Sequence, residues 1–99
     1  MAVFEVTITP LGTGNAGVSS FVAGCLQILK ASGLKYQLTP MGTIIEGDLD
    51  EVFGFIRKMH ESPFAAGAVR VVTLLRIDDR RDKKEHTMAS KLQSVEKKL

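Results

Sequence analysis

Between Val3 and Ile77 the chain switches repeatedly between the two hydrophobic periods that proteins use, and that alternation constrains its fold more than any other feature. Val3 to Thr9 sets Phe4, Val6 and Ile8 against Glu5, Thr7 and Thr9, the period of two of a half-buried strand, which Pro10 should end. Val18 to Ser32 follows with Val18, Phe21, Val22, Cys25, Leu26 and Leu29 on one helical stripe; Ser19 or Asn15 could cap its start, and Gly33 is placed to close it. Leu34 to Thr39 returns to alternation, Pro40-Met41-Gly42 reads as a turn, and Thr43 to Gly47 is a short β-branched strand. Asp48 is then positioned as an N-cap with Glu51 as the reciprocal half of a capping box. The helix it opens carries Leu49, Val52, Phe53, Ile56 and Met59 on one side and should stop near Ser62, because Pro63 follows. After a small-residue loop, Val69 to Ile77 is the most apolar strand and is expected at the centre of the sheet.

The resulting order is β-α-β-β-α-β. Its economical packing is an α+β ferredoxin-like sandwich: a four-stranded antiparallel sheet with both helices on one face, and here an extra C-terminal helix. The chain of 99 residues is expected to form one domain, 1–99. With 44% hydrophobic and 24% charged residues it has the composition of an ordered globular protein. No apolar run reaches the roughly 18 residues of a membrane span, and the start lacks the basic and apolar regions of a signal peptide, so a cytoplasmic protein without membrane contact is expected. Cys25 is the single cysteine and sits on the stripe of the first helix, where a buried, inert thiol is expected.

Charge is distributed unevenly. Residues 1–79 carry six Lys/Arg and eight Asp/Glu, whereas residues 80–99 carry seven and three, so the basic character belongs to the tail. That tail holds the turn Asp78-Asp79-Arg80-Arg81, expected to form an ion-pair network, and a short helix with Met88, Leu92, Val95 and Leu99 on a narrow stripe. The stripe suits docking on another subunit or along a sheet edge. Nucleic acid is not an expected partner, because the chain has one Tyr, no Trp and no basic face interleaved with aromatic platforms.

Glu46 stands out, being an acid inside an apolar strand; it must meet a pocket, an interface, water or a partner such as Arg70 or Arg76. Gly12, Thr13 and Gly14 open a GxGxxG pattern between the first strand and the first helix. No acid follows about 20 residues on for a ribose, so a dinucleotide is not expected, although backbone N–H groups there could hold an anion. An acylphosphatase-type enzyme has the same element order and an anion-cradling loop with an arginine, but the Gly12 to Gly17 loop contains none. No nucleophile elbow, paired-carboxylate motif or metal-ligand spacing is present, so neither catalysis, a metal nor a cofactor is expected.

Pro10-Leu11-Gly12-Thr13-Gly14, Ser32-Gly33-Leu34-Lys35-Tyr36, Met41-Gly42-Thr43 running through Ile45-Glu46-Gly47, Arg70-Val71-Val72 and Ile77-Asp78-Asp79-Arg80 together resemble the YkoF-like thiamine-binding family. The resemblance implies a ferredoxin-like fold, assembly into dimers or tetramers through the open sheet face, and binding of thiamine or its hydroxymethylpyrimidine part without turnover. Thr43 and Glu46 match the family motif best. As site residues, Thr43 is expected to hydrogen-bond the pyrimidine, Glu46 to pair with the amino group or the cation, and Tyr36 to form a wall. Glu5 and Thr7 join them if the site uses the open face. A structural or regulatory oligomer that binds another small ligand or an anion is the alternative.

Overall fold

The computed structural model describes residues 1–12, 19–82 and 88–99. Its elements run β1 (Ala2–Leu11), α1 (Ser19–Ser32), β2 (Lys35–Thr39), β3 (Gly42–Gly47), α2 (Leu49–Ala65), β4 (Arg70–Asp78) and α3 (Met88–Glu96). The strands pair antiparallel in the order β2-β3-β1-β4, which is the ferredoxin-like sandwich the hydrophobic periods imply.

Register decides which side chains share a face. Phe4 stands opposite Ile45 on β3 and Ile77 on β4, so these residues look toward the helices, as do Val6, Thr43 and Leu75 two positions along. Here Phe4 and Ile45 are completely buried with Cys25 and Leu29 of α1 and Val52, Ile56 and Met59 of α2. Each large side chain removed from water in this layer contributes about 1.5–3 kcal/mol. The alternate residues, Val3, Glu5 and Thr7 on β1, Ile44 and Glu46 on β3, and Val72, Leu74, Arg76 and Asp78 on β4, form the opposite, open face.

Both proline expectations fail, for the same physical reason. A proline is tolerated wherever its missing N–H would have had no strand or helix acceptor, or where another donor replaces it. β1 runs through Pro10 to Leu11; its register with β3 ends at Val6, so beyond that point it has β4 as its one partner strand. α2 runs through Pro63 to Ala65 instead of stopping near Ser62. Pro63 deprives the Met59 carbonyl of the N–H four residues on, and the Cys25 thiol donates to that carbonyl at 3.4 Å. Pro63 itself is fully buried and fills core volume.

Cys25 therefore links the two helices, and burial pushes its thiol pKa up. That stabilising contribution is present below the unfolded thiol's pKa and is lost as the pH rises through the folded value. Iodoacetamide is accordingly expected to label the native protein more slowly than the urea-unfolded chain at the same pH; equal rates would show the thiol to be open.

Two further expectations are corrected. Asp48 is the N-cap of α2 through its carbonyl, which accepts from Val52 N at 2.9 Å, but its side chain makes no capping hydrogen bond, so no capping box forms. Asp50 and Glu51 still place negative charge in the first turn, where the helix dipole favours it. β4 is an edge strand, and β1 takes the centre. The apolar residues of β4 divide between two faces, leaving Leu74 67% exposed on the open one.

Candidate functional site

The β2–β3 hairpin builds the first candidate site. Thr39 Oγ1 donates to the Gly42 carbonyl at 2.8 Å and accepts from Met41 N at 3.3 Å, fixing the Pro40-Met41 turn. Gly42 passes so close to β1 that a Cβ there would lie 3.1 Å from the Val6 carbonyl oxygen and 3.2 Å from Thr7 Oγ1. The next residue, Thr43, is thereby held at the margin of the core. Between this hairpin, the second half of β1 and Val22 of α1, at the end of the sheet, lies a cavity of about 490 Å³ bordered by Thr43, Leu38 and Met41, and by Thr7 and Thr9 from β1 positions that belong to the opposite face.

Thr43 is 9% exposed, and among the described residues its hydroxyl has no hydrogen-bond partner. A buried hydroxyl without a partner costs about 1–3 kcal/mol, so the arrangement is poised to gain from a polar group entering the cavity. Among the described residues, no charged side chain lines it.

The other expected site residues lie elsewhere. Thr7 shares the cavity with Thr43, but Tyr36 looks toward the helices from β2 and packs at the edge of the core. Glu5 belongs to the open face, 3.5 Å from Arg76 in an exposed pair that contributes little. Glu46 is 6% exposed, and neither Arg70 nor Arg76 is its partner: Lys35 Nζ lies 3.4 Å away and Met88 N donates to Glu46 Oε2 at 2.9 Å. A carboxylate at the start of α3 satisfies one of the free N–H groups and the positive end of the dipole. This tie between β3 and α3 was missed by sequence reasoning, because the two elements are separated by more than forty residues and nothing local signals it. Gly12 adopts a φ of 69°, as a tight turn after a strand requires, whereas Thr13 and Gly14 of the anion-loop expectation, and the Asn15 cap, lie outside the described residues.

A second cavity, of about 570 Å³, opens on the other face of the sheet against α3 and includes Glu5, Arg76, Asp78 and Lys91. Of the ion-pair network expected among Asp78, Asp79, Arg80 and Arg81, Arg81 meets Asp79 at 2.8 Å; Arg80 binds Asp82 through two nitrogens, and Lys91 contacts Asp78, two pairs the sequence did not suggest. Among the described residues no cluster of three or more His, Cys, Asp or Glu could hold a metal ion, and no helix is long and apolar enough to cross a membrane.

Fold and cavity together define a small α+β sandwich with a pocket at the end of its sheet that Thr43 borders. Residues 4–96 match the model of a family described as thiamine-binding protein, and the chain belongs to that family. It is 52% identical to the UPF0045 protein YqgV of Bacillus subtilis, over 100% of this chain and 98% of the relative. A UPF0045 protein of Methanothermobacter thermautotrophicus is 40% identical over the full length of both chains. Among solved structures, the hypothetical protein MJ1052 of Methanocaldococcus jannaschii superimposes with a TM-score of 0.85 at 41% identity, covering 96% of this chain and 95% of that one.

Proposed function

We propose that this protein binds thiamine, or its hydroxymethylpyrimidine part, without turning it over, and that the pyrimidine enters the cavity beside Thr43. Family membership supplies the ligand class. The observation that carries the reading is the Thr43 hydroxyl, buried and without a partner among the described residues, at the wall of a cavity whose described lining carries no charged side chain. An aminopyrimidine offers that hydroxyl both a donor and an acceptor, and its ring faces suit Leu38 and Met41. The thiazolium cation of thiamine then remains outside the neutral cavity, toward solvent or a second subunit.

Self-association is part of the same reading. Val72 and Leu74, 40% and 67% exposed on the open face, form an apolar strip along edge strand β4, a surface that a second copy can cover.

Thermal melting tests the ligand. At a hundredfold excess over Kd, binding to the folded state adds about 2.7 kcal/mol, which raises the melting temperature of a domain this size by roughly 10 °C or more. Hydroxymethylpyrimidine should produce that rise and be recovered chemically unchanged. No rise with either hydroxymethylpyrimidine or thiamine would remove the ligand assignment, and conversion of the ligand would make the protein an enzyme.

A further inference from the structure

β4 is the longer of the two edge strands, and it contains no proline and no lysine. It pairs with β1 without interruption from Arg70 opposite Leu11 to Asp78 opposite Val3, so no bulge turns it away from a neighbour. Among the described residues no other strand lies beside it, which leaves a row of backbone N–H and C=O groups along its outer side. Apolar side chains reach that edge from both faces, Val72 and Leu74 on the open one and Ile77 on the helix side, all of them exposed.

The charges on β4 match a copy of the strand instead of repelling it. In an antiparallel pair, opposed residues share a face, so two symmetric strands can shift past each other only by moving the axis from one residue to the next. With Leu74 on the axis the whole strand pairs, and Arg70 stands opposite Asp78, Val72 opposite Arg76, and Val71 opposite Ile77 of the copy. Moving the axis to Thr73 sets Arg70 opposite Arg76, and moving it to Leu75 sets Asp78 opposite Val72 and leaves Arg70 beyond the paired stretch. Arg70 has no ion-pair partner among the described residues. The register needs no vacancy at Asp78, which already contacts Lys91, because the alternatives fail at Arg70.

We propose that two copies join edge to edge through β4, centred on Leu74, so that two four-stranded sheets become one continuous sheet with both helix layers on the same side. This rests on the self-association half of the reading above and goes further, because it specifies strand pairing rather than stacking of open faces. No residue of β4 is among those that line the cavity beside Thr43, so the pyrimidine reading is independent of it.

The test uses the full chain. In sedimentation equilibrium wild type should be dimeric, and Arg70→Glu, which opposes two acids at each end of the pair, should raise the dimer dissociation constant at least tenfold. Oxidative cross-linking then reads the register. In Leu74→Cys the two thiols face each other across the axis, within the roughly 4.4–6.8 Å between Cα atoms that a disulfide spans. In Val72→Cys, which faces Arg76 of the copy, they lie about 13 Å apart. Leu74→Cys should therefore form covalent dimer at least tenfold faster than Val72→Cys, while wild type, with its buried Cys25, should form none. Both positions are exposed, so this comparison holds even if Arg70→Glu does not fold. A dimer in which Val72→Cys cross-links as fast as Leu74→Cys would keep self-association and overturn the strand pairing. A wild type that stays monomeric would remove both.

Discussion

Replacing Phe4 by alanine is expected to destabilise the protein by about 3–5 kcal/mol, the range for emptying a fully buried aromatic site. Phe4 lies on the central strand, has no exposed surface, and meets Phe53 of α2 edge-on with ring centroids 5.9 Å apart. Its neighbours Ile45, Leu29 and Met59 are equally enclosed, and they belong to three different elements, so the layer cannot collapse into the vacated space without moving a helix. Against a typical total of about 5–15 kcal/mol, this single truncation removes a large share. Urea denaturation should show a lower midpoint with an unchanged slope; a loss below about 1 kcal/mol would mean that the sheet and helices do not meet at Phe4.

The second large effect concerns a single methyl group. Gly47→Ala would place a Cβ 2.8 Å from Val52 Cγ2 and 3.3 Å from Leu34 Cδ2. Two terms compete at this position. Relief of glycine's backbone entropy would favour alanine by roughly 0.5–1 kcal/mol, while overpacking a closed core costs about 1–3 kcal/mol. Overlap wins because Val52 is itself completely buried and has nowhere to turn. The variant should therefore melt below wild type, whereas a neutral or raised melting temperature would show that α2 can shift away from β3.

These two positions also show what the sequence could and could not reveal. Phe4 was legible because strand alternation places it with Val6 on one face, and a single inward face is enough to locate the helices. The ferredoxin-like order followed from such local periods. Position in the sheet did not: β4 is rich in apolar residues, but they alternate across both faces of an edge strand, and composition cannot distinguish that from burial. Prolines misled because their effect depends on tertiary neighbours, and no local rule connects Pro63 to the Cys25 thiol. At the candidate site, the hairpin motif singled out Thr43 and Glu46, but one-residue spacing in a strand decides the face. Three positions apart, Thr43 looks toward the helices and Glu46 away from them. Glu46 was conspicuous as a buried acid, and the structure gives it Lys35 and the start of α3 as partners.

Thr43→Val tests the central claim through two effects of opposite sign. Valine keeps the shape and removes the hydroxyl, so the unliganded protein loses a buried polar group that has no partner among the described residues. Its stability should hold or rise, by up to about 1–3 kcal/mol. Binding should move the other way, because the pyrimidine would leave a polar atom unpaired in the cavity, a loss of about 1–3 kcal/mol or roughly five- to 150-fold in Kd.

The measurement is isothermal titration of hydroxymethylpyrimidine into wild type and Thr43→Val, with the melting temperature of each unliganded protein recorded alongside. The account predicts binding to wild type and at least tenfold weaker binding to a variant that melts no lower. Equal affinity for the two proteins would place the ligand away from Thr43 and contradict it.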